Sequence, residues 1–323
     1  SGGRALVSEY SKSGVDLNKL RSYHELAKSL FKTGEIGVGH YANAVKLGDY
    51  YLSVHVDGVG TKTLLALKTG IIEPVSQDCL AMNTNDLACV GSRPIAAVDY
   101  LALERHDDEL VGRILRGLSE ASREAEVEIL GGETAVMPGV ISGFDLSCTV
   151  IGISKDLLVG REVVPGDVVI GLPSSGPHSN GYSLIRRLID EGKLSLKDYA
   201  EDLMRPTKFY HKAVLAVADK IKAAAHITGG AYTKVRRVVK YGMELEMPEP
   251  PEVFKAIMRA GVPLEEMYKV FNMGIGMLVF VSPEVAEDVM KALKKFDDPV
   301  ILGKVVEGDK FRIKTYEGFQ VVV

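Results

Sequence analysis

Hydrophobic positions along this chain follow two alternating periods, and the switches between them mark out the elements. Residues 17–32 carry Leu20, Leu26, Ala27 and Leu30 at helical spacing, and the glycine-rich run 34–39 breaks them off. Residues 50–56 read as a strand that runs straight into Asp57-Gly58-Val59-Gly60-Thr61-Lys62, with a helix near 61–67. A second helix over 75–90 stops at Gly91, with Pro94 just beyond. Residues 95–103 are apolar and rich in strand formers. Asp107-Asp108 then caps a helix whose Leu110, Ile114, Leu118 and Ala121 share one face. A short strand over 127–130 leads into Gly131-Gly132-Glu133-Thr134, and 145–153 alternates as another strand.

The stretch 160–167 reads as a junction, dividing the chain into units 1–160 and 161–323. A strand over 168–172 opens the second unit and runs into Pro173-Ser174-Ser175-Gly176-Pro177-His178-Ser179-Asn180-Gly181. Helices are expected near 182–191, 207–222, 252–260 and 283–294, the last with Ser282 as its cap and Pro283 in its first turn. Strands are expected over 276–281, 300–306 and 312–323. Both halves mix strands and helices, which predicts an α+β protein of two domains.

At 323 residues the chain is long enough for two cores. Its net charge of −4 supports no nucleic-acid footprint, and Arg186-Arg187 and Arg236-Arg237 read as solvated helix faces. The apolar runs 94–103 and 276–281 are too short to span a bilayer. Nothing near Ser1-Gly2-Gly3 resembles a signal peptide, and that tripeptide reads as an expression scar. Cys79, Cys89 and Cys148 have no metal-ligand spacing and predict buried thiols in a reduced, cytoplasmic protein.

The candidate chemistry is acidic and glycine-rich. Asp57 offers oxygen to a hard cation, Gly58 and Gly60 allow close backbone approach, and Lys62 offers a point charge to phosphate. A plain strand-to-helix turn with an exposed salt bridge explains the same residues. The run is not a P-loop, because His55 stands five residues before Gly60. Gly37-Val38-Gly39-His40-Tyr41-Ala42 matches a loose dinucleotide fingerprint but follows a helical pattern where that motif requires a strand. Asp86, beside Asn85, sits among Leu80, Met82 and Leu87; buried without a partner it would cost roughly 3–5 kcal/mol. It either faces solvent or meets a metal or ligand. With Glu133 it would give three carboxylates for Mg²⁺ on a polyphosphate. The loop 174–181 precedes a helix, whose free N–H groups suit phosphate, although Ser179 or Asn180 acting only as a cap is the simpler alternative. His178 is either a general acid–base or a donor to a phosphate oxygen.

In order along the chain, the aspartate-glycine turn, Asn85-Asp86-Leu87, Gly131-Gly132-Glu133-Thr134-Ala135-Val136-Met137-Pro138-Gly139 and Ser174-Ser175-Gly176-Pro177-His178-Ser179-Asn180-Gly181-Tyr182 resemble the phosphoribosylformylglycinamidine cyclo-ligase family of purine biosynthesis. Arg205-Pro206-Thr207, His226-Ile227-Thr228-Gly229-Gly230 and Met267-Tyr268-Lys269-Val270-Phe271-Asn272-Met273-Gly274 continue the match. Val56 and Val136 depart from the family's usual threonine and glutamate.

The resemblance implies a homodimer in which first-domain strands of two subunits pair into a β-barrel. It also implies ATP-dependent closure of formylglycinamidine ribonucleotide to aminoimidazole ribonucleotide, through an iminophosphate. On that basis Asp57, Asp86 and Glu133 would hold Mg²⁺, with Gly58, Gly60, Thr61, Asn85, Gly131, Gly132 and Thr134 around the ATP. Lys62, Asp57 and His178 would be catalytic. Ser174, Ser175, Gly176, His178, Ser179, Asn180, Thr228 and Gly229 would cradle the substrate. Neither a membrane nor a nucleic acid is implied.

Overall fold

Each half of the chain builds its own sheet, and a helix buried on every side lies between them. The computed structural model describes residues 8–31, 34–36, 40–159 and 161–323. The first half contributes β1 (Asn43–Leu47), β2 (Tyr50–Gly58), β3 (Arg93–Leu103), β4 (Glu128–Val136) and β5 (Phe144–Ser154), in the order β1-β2-β5-β3-β4. Its helices are α1 (Leu17–Leu30), α2 (Lys62–Thr69), α3 (Pro74–Cys89) and α4 (Asp108–Ala125). The second half contributes β6 (Val168–Pro173), β7 (Ala223–His226), β8 (Gly242–Glu246), β9 (Ile275–Val281), β10 (Val300–Val306), β11 (Phe311–Lys314) and β12 (Gln320–Val322). They lie in the order β12-β11-β8-β10-β6-β9-β7. Around them run α5 (Tyr182–Asp190), α6 (Leu196–Leu203), α7 (His211–Ala216), α8 (Glu252–Arg259), α9 (Leu264–Val270) and α10 (Ala286–Leu293).

Where the sequence carries a clean period, the elements form as expected. Asp107 caps α4 by accepting the Leu110 N–H at 3.0 Å, and Ile114, Leu118 and Ala121 are buried along one face. On β5 every second residue, from Phe144 to Val150, is buried.

Several expectations need correction. β2 continues through Asp57 and Gly58, so that aspartate is a strand residue. Gly131 to Glu133 lie inside β4, paired in parallel with β3, and make no turn. Glycine is required there by packing: a Cβ on Gly132 would lie 2.1 Å from Asp99 Oδ1. The helix expected over 207–222 shrinks to α7, and β1, β7, β8, α6 and α9 are additional. Ser282 makes no side-chain cap bond, and the closing strand breaks into β11 and β12. Arg236 stacks 3.9 Å over the Phe311 ring and Arg237 lies over Tyr41, so that pair is no plain solvated face. All three cysteines are buried and free. The run 37–39 falls outside the described residues.

Among the described residues the first sheet is covered on one side only. Residues 51, 53, 55 and 57 of β2 face α3, whereas Val54 and Val56 face the other way, beside Val45 and Leu47 of β1 and Val98 of β3. Val56 is 63% exposed there, and Leu130 on β4 is 65% exposed.

Candidate active site

α3 explains how the site is held. Fourteen of its sixteen residues are buried, including Ser76, Asp78, Asn83, Thr84, Asn85 and Asp86. A helix buried all round with polar groups must satisfy each of them internally. It does so largely across the interface with the second half. The Asp78 carboxylate accepts the Thr207 N–H and hydroxyl at 2.7 and 2.6 Å. Asn85 donates to Lys208 O at 2.8 Å and accepts from the Tyr210 N–H at 2.7 Å. Asn85 is thus a stitch between the halves and does not face a ligand.

Asp86 is neither solvent-facing nor unpartnered. His55 Nε2 lies 3.0 Å from one carboxylate oxygen and His226 Nδ1 2.9 Å from the other. His55 stands two residues before Asp57 on β2, so both point at α3. Asn83 gives its amide N–H to Cys79 O at 2.8 Å and so turns its carbonyl to His55 Nδ1 at 2.7 Å. Both His55 nitrogens therefore face acceptors, the arrangement of an imidazolium. Burial alone would lower its pKa; Asp86 and Asn83 overcome that and raise it to about 9. Burial likewise pulls the Asp86 carboxyl up, but the two histidines outweigh it and hold the group well below the usual range. Asp57, beside this cluster, is pushed up by burial and then by the Asp86 charge, and it accepts the Gly58 N–H at 2.9 Å.

Lys62 does not present its charge to a ligand. The residue is wholly buried and its ammonium is saturated by Asp78 Oδ2 at 2.8 Å, His178 O at 2.5 Å and Arg205 O at 2.7 Å. Burial lowers the lysine and raises the aspartate, and their contact opposes both shifts. The lysine is a pin that ties α2 to the loop 174–181. Thr61, next to it, meets the Ser183 hydroxyl at 3.2 Å.

The loop 174–181 is braced from several sides. Ser174 donates to Asn272 Oδ1 at 2.8 Å, Asn272 donates to Gly176 O at 2.8 Å, and Ser175 donates to Pro206 O at 2.6 Å. Ser179 reaches Met82 of α3 at 2.7 Å. Gly181, at φ 82°, caps α5 where a Cβ would strike Phe271. His178 is buried with positive φ; its Nε2 accepts the Ser175 N–H at 3.1 Å, which places the proton on Nδ1, a nitrogen without a partner among the described residues. Burial holds its pKa well below the ordinary value, so the ring is a neutral donor. Asn180 points towards Thr228-Gly229: a Cβ on Gly229 would lie 3.2 Å from Asn180 Oδ1.

Glu133 does not converge with the other two acids. It pairs in register with Tyr100 on the open face of the first sheet, one residue out of phase with Gly132, which lies in the row of Asp57, Cys148 and Asp99. Among the described residues no three His, Cys, Asp or Glu side chains are grouped to hold a metal. Gly131, Gly132 and Thr134 sit on that same edge strand, away from Asp86. In exchange, the fold adds residues that spacing did not reveal: His55, His226, Asp78 and Lys234. His55 carried a readable signal, since alternate strand residues share a face with Asp57.

Residues 39–154 match the family model of the AIR synthase related protein, N-terminal domain, and residues 164–315 that of its C-terminal domain. A phosphoribosylformylglycinamidine cyclo-ligase of Sulfurisphaera tokodaii is 60% identical over 97% of this chain and 98% of its own. Its counterpart in Saccharolobus solfataricus is 54% identical over 96% and 97%. Among solved structures, AaThiL complexed with AMPPCP and TMP superposes with a TM-score of 0.69 at 19% identity, covering 95% of this chain and 98% of that one. Hydrogenase maturation protein HypE in complex with ATP gives 0.64 at 18%, covering 87% and 86%. At those identities the two structures establish likeness of fold alone.

Proposed function

The chain belongs to the phosphoribosylformylglycinamidine cyclo-ligase family, ATP-using enzymes of purine biosynthesis, and we infer that the cleft between its two halves is where ring closure occurs. One observation carries this reading: Asp86 of the first half is bonded to His226 of the second, and Thr228-Gly229 and Asn180 follow on the same lip. The acidic cluster and the serine-rich loop thereby share one cleft. We take the halves to divide at 160/161.

In the proposed reaction the formyl oxygen of formylglycinamidine ribonucleotide attacks the γ-phosphorus of ATP, and ADP leaves with the bridging electron pair. The amidine nitrogen then attacks the activated carbon and gives up its proton to solvent, the C–O bond breaks and phosphate departs. Phosphorylation turns a poor leaving group into a good one, so what the protein supplies is positioning and charge stabilisation. Ser174, Ser175, Gly176, Ser179, Asn180, Thr228 and Gly229 would orient the substrate. His178 would donate its Nδ1 proton as a hydrogen bond. Asp57, Gly58, Gly60 and Thr61 would border the nucleotide.

Mg²⁺ fits this site as an ion carried in on phosphate. Asp57 and Asp86 keep lone pairs beyond the bonds described, and two carboxylates plus substrate phosphates are a common magnesium donor set. When bound, the ion would neutralise charge on the ATP phosphates. Glu133 is not part of that pair. It lies on the face we assign to a second copy of the chain, where Val45, Leu47, Val54, Val56 and Val98 form an apolar surface suited to a closed barrel. Sedimentation should give a dimer that Val56→Glu dissociates; a wild-type monomer at micromolar concentration would count against it.

The decisive assay supplies formylglycinamidine ribonucleotide and ATP and looks for aminoimidazole ribonucleotide. Tight ATP binding without product would point to a nucleotide-binding module instead.

A further inference from the structure

One lysine in the cleft is unaccounted for. Lys234 lies in the 3-10 stretch Ala231–Arg237, immediately after Gly229-Gly230. Its stem folds back along those two glycines: a Cβ on Gly230 would lie 3.1 Å from both Lys234 Cγ and Cε, and one on Gly229 would lie 3.6 Å from Nζ. The glycine pair is therefore a groove that routes the ammonium to the place where Asn180 also arrives, 3.2 Å from the same virtual Cβ.

The ammonium is left unpaired there. Among the described residues the Lys234 side chain makes no ion pair or hydrogen bond, while its backbone carbonyl accepts from the Tyr41 hydroxyl. Around it, Asp86 and Asp57 attract the charge, whereas Arg237 and Arg21 repel it, and burial drives its pKa down. A half-buried ammonium without an ion-pair partner among the described residues gains from an incoming anion. Lys62 is the contrast, with its charge fully met by protein oxygens.

We propose that Lys234 stabilises the phosphoryl group in flight from ATP to the formyl oxygen. The proposal rests on the reading of the cleft given above. Its position selects the transferring group over the substrate's own ribose phosphate. The Gly229 groove sets the ammonium beside Asn180, on the side assigned to the substrate, while the Asp86 and Asp57 charges, on the side assigned to the ATP phosphates, draw it without contact. As the bond from phosphorus to the bridging oxygen breaks and the bond to the formyl oxygen forms, negative charge gathers on the equatorial oxygens. Lys234 meets that charge and transfers no proton.

Lys234→Met and Lys234→Arg test this in two independent ways. In cyclisation assays Lys234→Met should lower kcat about 100-fold or more, with KM for both substrates within about threefold and an unchanged melting temperature, and Lys234→Arg should recover part of the loss. In binding assays Lys234→Met should bind ADP as the wild type does but lose about 100-fold affinity for ADP with aluminium fluoride, a stand-in for the phosphoryl group in transit. Unaltered kcat, a loss confined to KM, or equal retention of ADP–aluminium fluoride would each overturn the assignment. The binding arm reads Lys234 even if the wild type fails to cyclise, an outcome that would sink the reading of the cleft on its own.

Discussion

Two charge clusters border the loop 174–181, one wholly buried and one half-buried, and they are finished to different degrees. Around Lys62 the ammonium is met by Asp78 and two backbone carbonyls, and Thr207 holds the far side of the carboxylate. Asp57 and Lys234, by contrast, make no ion pair among the described residues. The first cluster holds the fold together, and the second is the one we assign to ligand binding. A single hexapeptide, Asp57 to Lys62, contributes one end to each. Nearness in sequence to a functional aspartate therefore says little about what its lysine does.

The largest effect should come from breaking the finished cluster. Lys62→Met strands the buried Asp78 carboxylate and should cost about 3–5 kcal/mol of stability, measured by chemical denaturation. Pairing it with Asp78→Leu should restore part of that loss, and a single variant as stable as the wild type would erase the distinction. In the other cluster, Asp86→Asn turns an amide donor towards an imidazole donor. It should cut kcat/KM about 100-fold; full cyclisation at limiting Mg²⁺ would remove Asp86 from the reaction.

A pH titration comes next in size. The folded pKa of His55, about 9, lies above its ordinary 6.5. Its contribution should be whole below pH 6.5 and disappear as pH rises through 9. We expect about 3 kcal/mol in metal-free protein, absent from His55→Gln. The smallest effect belongs to the surface pair of Glu73 and Arg113, 2.6 Å apart. The Arg113 hydrogen bond lowers Glu73 to about 2, so its share is present above the ordinary carboxylate range and lost as pH falls through 2. Exposure should keep Glu73→Gln under about 1 kcal/mol.

What could be read in advance follows from range. α4, β5 and β6 carry their periods and caps within a few residues, and local physics decides them. The Gly131-Gly132 pair misled because glycine is normally a turn signal. The reason for glycine at 132 is Asp99, on a different strand. Lys62 misled likewise, since Asp78 meets it only after α2 and α3 have packed. The loop 174–181 was legible as a loop before a helix because its serines, glycines and histidine are contiguous. Lys234 was not, standing beside Arg236-Arg237, a pair read as a solvated face. Both arginines in fact lie over aromatic rings, Phe311 and Tyr41.

The Asp86 clasp also bears on how ligands come and go. A hinge that swung the halves apart would strip His226 from a buried carboxylate and pull Asn85 from Lys208 and Tyr210 in the same movement. Several desolvated bonds would be broken together, so wide opening is a costly route for each turnover. Traffic through the cleft should instead use small excursions of the chain at its rim, with the two halves moving as one body.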